Sequence, residues 1–176
     1  MTNDSKMLLR LQFLLRVIRK EGEHLALTDA RLFSEPFTIA RAERLATQPD
    51  LAERVEAFVS RFSRLQDTLG DKLLPVLLSA LGEKPGAAID NLDRAERLGY
   101  IQSVDDWLAM RNLRNQMVHE YVEDLAILSN ALQSAHAFVP SLLASRQAMA
   151  AEAERRGWDA TDPLDVHNPH IYVNKK

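Results

Sequence analysis

The sequence predicts an all-α protein, an antiparallel bundle of four to five helices followed by a less regular C-terminal tail. Three observations carry that expectation. Apolar residues recur at three- and four-residue spacing through most of the chain, the pattern of a helix with one buried face. Glycine and proline are sparse, 6 and 7 of 176 residues, and gather mostly between the periodic segments. Neither an internal repeat nor a sustained apolar–polar alternation is present, so helices packed on helices are the economical fold.

The first helix is expected from about Ser5 to Leu27, capped by Asp4 or Ser5, with Leu8, Leu11, Leu15 and Ile18 at core spacing. Its leucine-rich start is interrupted by Arg10 and Arg16, no small-residue cleavage site follows, and no apolar run reaches bilayer-spanning length. A bundle helix is therefore preferred to a signal, a membrane span or a helix lying on a membrane. Glu21, Glu23 and His24 read as its solvated end. Thr28-Asp29 and Ser34-Glu35-Pro36 are restart signals within a connector that reaches Pro49 and holds a short helix to about Ala46. Pro49-Asp50 opens the next long helix, where Asp50 and Glu53 have capping-box spacing. Val55, Phe58, Phe62, Leu65, Leu69 and Leu73 form its stripe, and Gly70 and Pro75 are expected to bend or break it. After a Gly82–Gly86 loop, a helix from Ala87 to Leu98 ends at Gly99. Ser103-Val104-Asp105-Asp106 starts the next, with a capping serine and acids in the first turn. The last long helix holds Leu125, Leu128, Leu132, Ala135, Val139 and Leu142, with Pro140 as a kink. Periodicity stops after Trp158, so the bundle is assigned to residues 1–150 and the extension to 151–176.

Length suits one domain with a proper core. The absence of cysteine excludes disulfides and thiolate metal sites and fits a cytoplasmic protein. A net charge of −3 argues against broad, non-specific nucleic-acid binding while leaving room for a local basic patch. No glycine-rich phosphate loop, nucleophile elbow or HExxH motif supports nucleotide hydrolysis, serine hydrolase or zincin chemistry. His167 and His170, with Asp162 and Asp165, loosely suggest a metal site, but their proline-interrupted context fits a tail better. No metal and no cofactor are expected.

One stretch stands out, Arg114-Asn115-Gln116-Met117-Val118-His119-Glu120-Tyr121. It combines a permanent cation, an amide, a proton carrier that titrates near neutrality and a phenol, a set suited to a phosphodiester. Metal-free RNA cleavage needs a base for the 2′-OH proton, an acid for the leaving 5′-oxygen and a cation for the charge on phosphorus. On a continuous helix Arg111, Asn115 and His119 share one stripe, whereas Arg114 stands roughly 140° from His119. They would flank a groove, or the helix would break near the histidine, or a second copy would complete the site across a two-fold axis. On residues alone, the plainer reading is an arginine and a histidine satisfied by hydrogen bonds at a bundle junction. Arg61, Arg64, Arg94, Arg97 and Arg111 would supply an RNA track if the fold gathers them, though each alone reads as a surface residue.

Arg114, four residues, His119, one residue and Tyr121 resemble the Arg-x4-His-x-Tyr signature of HEPN domains, with the asparagine often found after the arginine. Within them the pattern is similar to the HepT toxins, helical dimeric ribonucleases encoded beside a minimal nucleotidyltransferase antitoxin. The resemblance covers the bundle and leaves the Thr28–Pro49 insert and the tail unexplained. It implies a homodimeric, metal-independent endoribonuclease toxin with Arg114 and His119 as the catalytic pair, Asn115 as their support and Arg111 on the RNA. It also implies that the cognate nucleotidyltransferase silences the toxin by attaching AMP to Tyr121. The alternatives are a non-catalytic HEPN subunit that presents substrate or nucleotide to the nucleotidyltransferase, and a purely structural helical protein.

Overall fold

The computed structural model describes residues 3–119 and 123–159, and it is all-α, with no strand among them. The elements are α1 (Asn3–Leu32), α2 (Ile39–Glu43) running into a 3-10 turn (Arg44–Ala46), α3 (Pro49–Asp67), a π-helical turn (Thr68–Leu73), α4 (Leu74–Ala80), α5 (Ala88–Arg97), α6 (Val104–His119) and α7 (Leu125–Arg155). α1 packs along α3 and also meets α4 and α7, while α6 lies between α3 and α7. Among the described residues no helix is long and apolar enough to cross a membrane.

The predicted stripe of α3 is the centre of the core, with Val55, Phe58, Phe62, Leu65, Leu69 and Leu73 all fully buried. Side chains of this size each contribute about 1.5–3 kcal/mol on burial. On α1 the buried face is Leu11, Leu14, Ile18, Leu25 and Leu32, so Leu8 and Leu15 sit at its margin instead of its centre. α7 supplies Leu128, Leu132, Ala135, Val139 and Leu142, as expected, and runs through Pro140. It continues past residue 150, burying Ala153, and closes at Gly157 (φ 69°), where the Trp158 amide donates to the Ala153 carbonyl.

Several boundaries differ from expectation. α1 is already helical at Asn3, so Asp4 and Ser5 lie in its first turn. It does not stop near Leu27 but continues through Thr28-Asp29, whose side chains are occupied in ways that leave the helix intact. The Thr28 hydroxyl donates back to the His24 carbonyl at 2.8 Å, and Asp29 meets His136 of α7 at 2.7 Å. Glu21 therefore stands in mid-helix, half-buried, and is no solvated end. α3 begins one residue before Asp50, and its capping position, Gln48, makes no side-chain cap, so the expected Asp50–Glu53 capping box does not form. Gly70 and Pro75 do not break the chain. The π turn widens the backbone, with the Leu74 amide reaching the Leu69 carbonyl, and that wider turn relieves the crowding a proline imposes on the preceding turn.

Candidate functional site

α6 starts as its sequence requires, with the Ser103 hydroxyl accepting from the Asp106 amide at 3.2 Å. Its inward edge carries Trp107, Met110 and Met117, each no more than 2% exposed. Arg114 falls four residues after Met110 and three before Met117, so helical spacing turns it towards α3 rather than to solvent. There its Nη1 donates to Asp67 Oδ1 at 2.7 Å, and one turn earlier Arg111 Nη2 donates to Asp71 Oδ1 at 2.7 Å. The later acid takes the earlier arginine because the two segments run antiparallel. Gln66 fixes the register, donating from Nε2 to the buried Trp107 carbonyl at 2.9 Å, and Gly70 lets the Trp107 ring lie against the π turn.

Beside the Arg114–Asp67 pair opens a cleft of about 540 Å³ between α3, the π turn and the end of α6. Its cations are Arg64, Lys72 and Arg114, and its hydroxyls are those of Ser60, Ser63 and Thr68. Glu56 and Asp67 oppose them, over a floor of Val59 and Met117. The Ser63 hydroxyl is buried without a hydrogen-bond partner. Behind Thr68 stands Glu21 of α1. Burial pushes its carboxyl above the ordinary range, while a hydrogen bond from Thr68 and the charges of Arg64 and Lys72 pull the other way. Three cations and a row of hydroxyls can neutralise and hydrogen-bond an anionic group.

The predicted residues distribute unevenly around this cleft. Arg114 and Arg64 line it, and Arg111 lies one turn away in its own ion pair. Asn115 is exposed on the outward side of α6. α6 runs without a break to His119, its last residue, so the position of His119 stands about 140° around the helix from that of Arg114. The His119 side chain and all of Tyr121 lie outside the described residues, as do Asp162, Asp165, His167 and His170. Arg61 is turned to α1, donating to the Thr28 hydroxyl and to the His24 carbonyl at 3.4 Å. Arg94 and Arg97 belong to α5, bonded to the carbonyls of Lys84 and Asp93. The anticipated arginine track is thus reduced to Arg64 and Arg111 beside Arg114, and the cleft gains Lys72, which sequence reasoning missed. Missed too were Asp67 and Asp71, whose four-residue spacing matches Arg111 and Arg114 only once α3 and α6 are known to lie side by side.

No protein family, curated protein or solved structure matches the chain.

Proposed function

We propose that this chain is a metal-independent endoribonuclease of the HEPN kind, the toxin of a toxin–antitoxin pair. The observation that supports it most is that the motif arginine, Arg114, borders a cleft where Arg64, Lys72 and three hydroxyl-bearing residues converge. In this reading the cleft receives the RNA backbone and Arg114 meets the scissile phosphate. Asn115 orients the reacting groups, and His119 transfers the proton. One histidine per motif cannot hold both proton positions at once, so a second copy completes the site. Leu108 and Val118 support such a homodimer, being 41% and 54% exposed on the same shoulder of α6 as Arg111 and Asn115. Tyr121, two residues past His119, is the control point, where an attached AMP repels and excludes RNA.

Expression of the wild type is expected to arrest growth and fragment cellular RNA, and His119→Ala to do neither, since proton transfer contributes about 10²–10⁴-fold. Co-expression of the cognate nucleotidyltransferase is expected to restore growth and add the mass of AMP to the Tyr121 peptide. Growth arrest by His119→Ala equal to that of wild type would remove the catalytic assignment.

The Arg114–Asp67 ion pair favours one second reading. An arginine already engaged by a carboxylate is also what a non-catalytic HEPN subunit would keep, presenting substrate or nucleotide to a partner nucleotidyltransferase. In that case the chain binds but never cleaves.

A further inference from the structure

The segment between α1 and α3 has no part in the reaction proposed above, yet together with the first turns of α3 it gathers three arginines around one cavity. Arg41 of α2, Arg44 of the 3-10 turn and Arg54 of α3 line a space of about 430 Å³. Arg41 is 5% exposed. Its Nη1 donates to the carbonyls of Leu32 at 2.5 Å and Glu35 at 2.8 Å, and its guanidinium carbon lies 5.3 Å from the Phe37 ring centre. These contacts fix the guanidinium in place without neutralising it.

Among the described residues, no carboxylate is within ion-pair distance of any of the three. Glu35 and Asp50 border the cavity, so its lining carries three positive and two negative charges. Burial lowers the pKa of Arg41, Glu35 opposes that shift, and the charges of Arg44 and Arg54 add to it. The guanidinium groups therefore repel one another across the cavity. The start of α3 at Gln48 and Pro49, which has no side-chain cap, adds the positive end of a 19-residue helix.

We propose that this cavity binds a phosphate group, with Arg41 as its fixed base and the exposed Arg44 and Arg54 as arms that close on it. Phosphate suits the arrangement better than a carboxylate. The three forks come from three different elements, and a tetrahedral anion offers each of them an oxygen, whereas a carboxylate has only two oxygens in one plane. The cavity is also larger than a bare phosphate ion, leaving room for a phosphate carried on an organic group. This site stands apart from the cleft beside Arg114 and is independent of the ribonuclease reading.

Calorimetric titration of the full chain with inorganic phosphate and with AMP, at constant ionic strength and with sodium chloride as the control salt, tests it. One saturable site is expected, together with a Tm that rises with ligand concentration. Arg44→Glu and Arg54→Glu remove exposed arms and leave the core untouched, and each should weaken binding about tenfold or more by replacing attraction with repulsion. Arg97→Glu, on α5, should bind as the wild type does. AMP binding markedly more tightly than phosphate would identify a nucleotide as the source of the group, and equal affinities would identify the free ion. No saturable binding of either probe, or binding that survives both Arg44→Glu and Arg54→Glu, would overturn the proposal.

Discussion

Arg114 is subject to two claims, one from Asp67 at 2.7 Å and one from any anion that enters the cleft. Both partners are about one third exposed, and ion pairs in such surroundings contribute about 0.2–1 kcal/mol. A phosphate offering two oxygens to the guanidinium can therefore displace Asp67 at little cost. It follows that Arg114→Lys, which keeps the charge but loses the fork, should lower RNA cleavage at least about tenfold while leaving the fold intact. Cleavage at the wild-type rate, read on labelled RNA, would reduce Arg114 to a general positive charge. Glu21 makes the second prediction at this scale. Its folded-state pKa lies above 4.5, so the folded protein binds that proton more readily than the unfolded chain does. The stability it confers is present below the unfolded value and is lost as pH rises through the folded one. Glu21→Gln should then raise Tm at pH 7, and the gain should shrink as pH falls towards 4.5. A Tm difference that ignores pH would contradict this. In the sequence, Arg114 and Asn115 were visible through their motif. Asp67 lies 47 residues away from Arg114, and no local spacing announces their meeting.

Helices were legible because their buried faces repeat. The stripe of α3, the Ser103 start of α6 and the Gly99 end of α5 all lie where their side-chain chemistry put them. Departures occurred where a residue that breaks helices in isolation is compensated by a bond within its own turn, by a change of helical pitch or by a tertiary contact. Thr28 and Asp29 satisfy their side chains without uncapping α1, and Pro75 is absorbed by the π turn. That turn also brings Gly70 under Trp107. A Cβ there would lie 3.0 Å from the ring, and Trp107 is 1% exposed with little freedom to retreat. Gly70→Ala should accordingly destabilise the fold by about 1–3 kcal/mol through overpacking. Thermal unfolding decides it, and an unchanged Tm would mean that the α3–α6 contact is looser than its geometry implies.

At the scale of the whole molecule, one bundle presents a cleft beside its motif helix and an arginine-lined cavity at the head of α3. The cleft combines a residue that the sequence singles out with Arg64 and Lys72, which only the fold assembles. The proposed chemistry is attack of a 2′-oxygen on phosphorus, with His119 moving the proton and Arg114 holding charge, and it names no ion. The most direct measurement is cleavage of end-labelled RNA by the purified protein in excess chelator, with the product ends identified. Fragments bearing 2′,3′-cyclic phosphate and 5′-hydroxyl ends are expected from the wild type and should be lost in His119→Ala. Silence in chelator with activity restored by Mg²⁺, or 5′-phosphate ends, would contradict it.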